Sequence, residues 1–131
     1  MAKIIIADDD PIARSILYET LNSAGHEVLA FEDGLEVAYE LKYRPNVDLL
    51  ITDVMMPYVD GDMLLKLCRG VPELTQMPII LTSGVIGPKK ITSFLEDGFT
   101  FFIPKPIKKD YVMSYVNKCV APVRARNEVN L

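Results

Sequence analysis

The chain has 131 residues, 50% of them hydrophobic and 24% charged, with a net charge of −4. That length suits one domain, the composition can bury a core, and the acidic balance argues against nucleic acid as the main ligand. Two cysteines are too few for a disulfide framework, no apolar run approaches the roughly 18 residues of a membrane span, and the N-terminus runs straight into a strand-like segment that leaves no room for a signal peptide. A soluble cytoplasmic domain with reduced thiols is the expectation.

In chain order, the first apolar run is Lys3–Ala7. Asp10 then reads as a helix N-cap and Pro11 as the first helical position, with Ile12, Ile16 and Leu17 on one apolar face and Gly25 as the stop. The second run, Glu27–Phe31, leads through the turn Glu32-Asp33-Gly34 into a helix with Leu35, Ala38 and Leu41 on its face, ending before Pro45. The third run covers residues 48–52, and Met63, Leu64, Leu67 and Cys68 mark a helix that stops at Gly70. The fourth covers 78–82, followed by a short helix with Ile91, Phe94 and Leu95 that Gly98 ends. The fifth covers 100–103, followed by Val112, Tyr115, Val116 and Cys119 at helical spacing, with Ala121-Pro122 as the helix end. Residues 122–131 read as a tail or truncated linker, which leaves 1–121 as the domain.

Three of the five runs are nearly continuous in Ile and Leu, the pattern of strands buried on both faces. The alternation of strand and helix predicts an α/β fold: an open, doubly wound, five-stranded parallel sheet with right-handed crossovers. Ligands of such sheets bind beyond the carboxyl ends of the strands. Asp8-Asp9-Asp10 follow the first strand, Asp53 the third, Thr82-Ser83 end the fourth, and Lys105-Pro106 follow the fifth. Neighbouring strands lie about 4.8 Å apart, so adjacent first and third strands force Asp8, Asp9 and Asp53 together. Carboxylates that close raise each other's pKa unless a cation intervenes, and an all-oxygen set suits a hard ion such as Mg²⁺. A single lysine and no arginine falls among these strand ends, so a compact point charge is expected there rather than a bidentate fork.

Other polar residues read as structural. Asp10 is a helix cap, His26 a surface residue at a helix-to-strand turn, and Cys68 and Cys119 core thiols. Met55-Met56-Pro57 is a loop, and Gly84, Gly87 and Gly98 fit turns without matching a phosphate-cradling fingerprint.

Taken together, Ile4-Ile5-Ile6-Ala7-Asp8-Asp9-Asp10, Asp53 with Met56-Pro57 and Asp60-Gly61, Thr82, and Lys105-Pro106 closely resemble the receiver domain of two-component response regulators, in order and in spacing. The resemblance covers about residues 3 to 120 and is nearest to single-domain, chemotaxis-regulator-like receivers. It implies a flavodoxin-like (βα)5 sheet with strand order 2-1-3-4-5. It implies Asp53 as phospho-acceptor; Asp8, Asp9, Asp53 and the backbone carbonyl of Met55 as Mg²⁺ ligands; and Thr82, Lys105 and Phe102 as the switch hydroxyl, phosphate-contacting lysine and aromatic switch position. It also implies a cis Lys105-Pro106 bond, with Met55 and Gly84 as the positions that tune phosphoryl lifetime. The implied partners are a sensor histidine kinase or histidine phosphotransfer protein, and a downstream protein on the face of the fourth helix, fifth strand and fifth helix, with no direct nucleic acid or membrane binding. Ser83 departs from the family's usual Ala, Phe102 lacks the hydroxyl of a Tyr, and residues 98–104 replace a typically more acidic stretch.

The chemistry agrees with that reading. A carboxylate can attack phosphorus and form an acyl phosphate, and the phosphoryl group in flight needs cations and donors around three oxygens. An Mg²⁺-dependent phosphatase with an aspartyl nucleophile is the enzyme alternative. It places its nucleophile after the first strand in an Asp-x-Asp pattern, whereas here Asp8-Asp9 are adjacent. A flavin-binding module of like topology would want a hydroxyl- and glycine-rich loop where three aspartates stand, and a receiver-like domain that is never phosphorylated would have no need of the full residue set.

Overall fold

The computed structural model describes residues 1–129, and side chains through residue 121. Five strands alternate with five helices: β1 (Lys3–Ala7), α1 (Pro11–Ser23), β2 (Glu27–Phe31), α2 (Gly34–Tyr43), β3 (Leu49–Asp53), α3 (Gly61–Arg69), β4 (Ile79–Ser83), α4 (Pro88–Leu95), β5 (Thr100–Pro104) and α5 (Lys109–Val129). A 3₁₀ turn at Pro72–Leu74, not anticipated from sequence, links α3 to β4. All neighbouring strands pair in parallel in the order β2-β1-β3-β4-β5. The expected doubly wound sheet is therefore the one observed.

The sheet separates two cores. Ile5, Leu50, Ile79 and Leu81 face Val37, Leu41, Leu64, Cys68 and Phe94 from α2, α3 and α4. Ile4, Ile6, Leu49, Ile51 and Ile80 face Leu17, Leu21, Val112 and Val116 from α1 and α5. Each such aliphatic side chain contributes about 1.5–3 kcal/mol on burial, which is why the three central strands carry almost nothing else. Asp10, Asp33 and Asp60 cap α1, α2 and α3, each accepting a backbone N–H in the first turn. Gly25 adopts φ +90° just beyond α1, a left-handed conformation that glycine takes without steric cost.

The structure corrects several sequence-based expectations. Ile12 is 71% exposed; the buried stripe of α1 is Ala13, Leu17 and Leu21. Leu35 and Met63 are exposed in the same way. All three lie in the first turn of their helices, which start beyond the carboxyl edge of the sheet and have nothing to pack on. Leu95, at the last turn of α4, is also exposed. His26 is buried rather than superficial, because the α1–β2 turn folds under the chain's start and Nδ1 accepts the Ala2 N–H at 3.2 Å. Strands β3 and β4 each begin and end one residue later than expected and β5 ends one residue later, so Asp53 ends β3 rather than following it.

The helix end placed at Ala121-Pro122 is likewise corrected. Helix α5 continues through Pro122 to Val129. An interior proline removes one backbone bond and crowds the carbonyl four residues earlier, which kinks a helix without necessarily stopping it. Residues 130 and 131 lie outside the described residues.

Candidate functional site

Three loops at the carboxyl end of the sheet bring the acidic residues together. Because β1 lies between β2 and β3, Asp8 leaves the sheet next to the end of β3, and Asp53 stands in register with Thr82 of β4. Ligand oxygens of Asp8, Asp9 and Asp53 lie within 4.8 Å of one another. Asp8 and Asp53 are buried and Asp9 is exposed. Such an all-carboxylate set suits a hard divalent cation, and positive charge at this distance relieves the repulsion among them.

Lys105 crosses from the end of β5 into this cluster. Its Nζ donates to Asp53 Oδ2 at 2.7 Å and to Asp8 Oδ1 at 3.2 Å, and makes a charge contact with Asp8 Oδ2 at 3.0 Å. The Lys105-Pro106 bond is cis, and the Lys105 N–H donates to the Ser83 carbonyl. Burial pushes the Asp8 carboxyl above its ordinary value, only partly countered by the Asp10 N–H and Lys105. Burial alone would lower the pKa of Lys105, but its bonds to Asp53 and Asp8 and their charges outweigh that and raise it. The cluster thus holds a carboxylate that burial disfavours and a lysine locked in the charged state.

The remaining expected residues are close by. Thr82 is buried, and its hydroxyl has no hydrogen-bond partner among the described residues. A buried hydroxyl left unpaired costs about 1–3 kcal/mol; this one stands beside the Asp53 carboxylate, where an arriving acceptor oxygen would satisfy it. The Met55 N–H donates to Asp53 Oδ1 at 3.3 Å. Gly84 is exposed on the β4–α4 loop beside Lys105. Phe102 lies opposite Leu81 on β5, half-buried against the α4 side of the core. It also lines a cavity of about 480 Å³ with Pro104, Lys108, Tyr111 and Tyr115.

Sequence reasoning missed three contributors. Arg14 donates from Nη1 to the Asp8 backbone carbonyl at 2.7 Å, so an arginine does stand at the edge of the cluster; only its helical spacing from Asp10 could have signalled this. Gly61 is required by close approach, since a Cβ there would meet the Asp53 carbonyl oxygen at 2.6 Å. Tyr58 sits at φ +68°, and the Val59 N–H donates to the Pro57 carbonyl around it at 2.9 Å, a tight three-residue turn. A non-glycine residue held so costs about 1–3 kcal/mol, and nothing in the sequence flags it.

Comparisons with known proteins agree with this geometry. The family described as the response regulator receiver domain matches residues 4–117. The two-component response regulator ORR3 of Oryza sativa is 29% identical over 117 residues, covering 89% of each chain. The rice regulator ORR7 is 31% identical over 105 residues, 80% of this chain, and this chain spans only half of its length. A match at 31% identity to the 3',5'-cyclic-nucleotide phosphodiesterase regA of Dictyostelium discoideum covers 96% of this chain but 16% of that protein. Among solved structures, the receiver domain of a signal transduction histidine kinase from Syntrophus aciditrophicus superposes with a TM-score of 0.81 at 31% identity, covering 94% of this chain and 92% of that one. The chemotaxis response regulator CheY4 of Vibrio cholerae gives 0.82 at 27%, covering 91% and 98%. With its fold, its strand-end cluster and these matches in agreement, the chain belongs to the response regulator receiver family of two-component phosphorelay signalling.

Proposed function

We propose that Asp53 accepts a phosphoryl group from the phosphohistidine of a sensor histidine kinase or histidine phosphotransfer protein. An Asp53 oxygen attacks phosphorus while the bond to the donor's imidazole nitrogen breaks, and the imidazole leaves with the electron pair. Lys105 neutralises one phosphoryl oxygen, and Thr82 with nearby backbone N–H groups donates to another. Asp8, Asp9, Asp53 and the Met55 backbone carbonyl would hold Mg²⁺, which when bound supplies positive charge against the transferring group. The donor set fits that ion: hard oxygens, two of them on buried carboxylates. The observation that carries the reading is the juxtaposition of three carboxylates, one lysine 2.7 Å from Asp53 and the unpaired Thr82 hydroxyl.

Output follows from the new charge, roughly −1.5 to −2 with three acceptor oxygens. Thr82 moves toward the phosphoryl group, Phe102 turns into the space it leaves, and the face of α4, β5 and α5 is remodelled for a protein partner. Residues 1–121 form the receiver unit, with 122–131 as its extension. The chemistry belongs to the chain's own gain and loss of phosphate in a cytoplasmic pathway, with no role for nucleic acid or membrane at this domain; no described helix is long and apolar enough to cross a membrane. The aspartyl-nucleophile phosphatase is not favoured, because the lysine-held acceptor candidate stands at the end of β3.

The test is labelling by acetyl phosphate, or capture of beryllofluoride, in Mg²⁺. Wild type is modified and Asp53→Asn is not. Stoichiometric, persistent labelling of Asp53→Asn would falsify the assignment.

A further inference from the structure

We propose that the outward face of α2 is a self-association surface, on which a second copy of this chain packs antiparallel about a two-fold axis at Tyr39. The inference stands apart from the reading of Asp53. A helix lying on a sheet normally turns polar residues outward. The exposed residues midway along α3 and α4 include Lys66, Thr92 and Ser93. Helix α2 is different. Val37 and Leu41 are buried, and on the opposite side Leu35, Tyr39 and Tyr43 follow one another at intervals of four, 58%, 62% and 60% exposed. These side chains form one surface. The Tyr39 and Tyr43 ring centroids are 4.7 Å apart, and Leu35 and Tyr39 line a single groove of about 430 Å³ with Phe31, Glu36, Glu40 and Arg44. The helix beneath is held firmly, since Gly34 lies so close to the Val59 carbonyl that any Cβ would overlap it.

The charges beside the stripe point to the occupant. Glu36 and Arg44 stand four residues either side of Glu40, on the same groove. Arg44 Nη1 donates to both Glu40 oxygens, at 3.0 and 3.1 Å, whereas Glu36 makes no ion pair among the described residues. Leu35 and Tyr43 likewise stand four residues either side of Tyr39. Turning a second copy end for end about this midpoint sets Tyr39 against Tyr39, Leu35 against Tyr43 and Glu36 against Arg44, the unlike pairs occurring twice. A two-fold contact requires a surface that is its own complement, and this one is: acidic at its start, basic at its end and apolar between. An unlike partner would have to reproduce the same order of charges, which a second copy supplies without addition. Tyrosine suits such an anchor through its large area and few rotors, and a rigid helix loses little freedom on docking.

Sedimentation equilibrium of the full chain, without phosphodonor or metal, tests this over about 10 µM to 1 mM, the affinity range of a small interface. Wild type should pass from one chain to two. Tyr39→Arg places like charges at the axis and should weaken association about tenfold or more, with the urea midpoint unchanged because the side chain is exposed. Glu36→Arg and Arg44→Glu should each be monomeric alone, since each sets like charges together at both ends of the contact. An equimolar mixture of these two variants should associate, because every Arg then meets a Glu; a role confined to one chain gives no such rescue. A wild type that stays monomeric throughout overturns the proposal. So does a Tyr39→Arg variant that pairs as wild type does, because the contact then lies on another face. A mixture of the two charge variants that associates no more than either alone also overturns it.

Discussion

The two ends of the sheet are built on opposite principles. At the amino end, where β5 begins, Arg69 donates to Asp97 at 2.7 Å, to the carbonyls of Leu74 and Met77 at 3.0 and 2.8 Å, and to the Thr100 hydroxyl at 3.2 Å. Asp97 takes the Thr100 hydroxyl and the Phe99 N–H as well. Every one of these partners is bound, and α3, the 3₁₀ turn, β4 and β5 are tied together. At the carboxyl end, Asp8 and Asp53 share one lysine, Asp9 stands beside them, and a buried hydroxyl is left over. A polar network closed on itself stabilises, whereas one left open has capacity for a ligand, and stability is given up to keep it so.

Breaking the closed end should have the largest effect. Arg69→Ala takes the guanidinium donors away from Asp97 and from the Leu74 and Met77 carbonyls, and should cost about 2–4 kcal/mol, seen as a lower urea midpoint. Its effect on acetyl phosphate labelling of folded protein should be small, since the clamp is at the far end of the sheet.

Relieving the open end should act in the other direction. Asp8→Asn removes a carboxylate that burial disfavours while keeping an acceptor for the Asp10 N–H, and should raise the metal-free urea midpoint at neutral pH. Millimolar Mg²⁺ should raise the melting temperature of wild type, because a ligand of the folded state alone stabilises by mass action. Asp9→Ala should lose that increment while gaining some metal-free stability. A wild type indifferent to Mg²⁺ would count against the whole cluster.

The two ends should also separate by pH. For Asp97 burial pushes upward, but the Arg69 bond, the Phe99 N–H and the Thr100 hydroxyl together hold the carboxyl below its ordinary 3.8. Its contribution is therefore present above 3.8 and lost as pH falls through the lowered folded value. The raised Asp8 value has the opposite sign: its contribution is present below 3.8 and lost as pH rises through the folded value. Urea midpoints across the acid range should show Asp97→Asn flattening the loss on acidification. Asp8→Asn should remove a loss on the rising side.

The finest effect is kinetic. Met55 and Gly84 offer no side chain able to orient water, and Met55 can shield the phosphoryl group, so loss of phosphate by hydrolysis should be slow. Met55→Asn should speed it severalfold, followed as decay after donor removal. A wild type that decays within seconds, or a variant no faster, defeats this reading of the two positions.

Local pattern alone carried much of this. The runs of Ile and Leu, the aspartate caps, the glycine stops and Pro11 mark the elements through short-range physics, and Asp8, Asp9, Asp53, Thr82 and Lys105 are legible because strand ends of a parallel sheet converge. What tertiary structure alone decided is of a different kind. Whether Ile12, Leu35 and Met63 meet a core depends on where each helix overhangs the sheet, and burial of His26 depends on the chain's start lying over it. Continuation of α5 through Pro122 is a backbone outcome that local propensity had argued against. The Arg69 clamp joins residues 28 and 31 positions apart, and the strained turn at Tyr58 lies in the loop that brings Gly61 against the Asp53 carbonyl. Periodicity and capping act over one turn of chain, so they are written in the sequence. Exposure, strain and long-range pairing arise only once the layers are assembled.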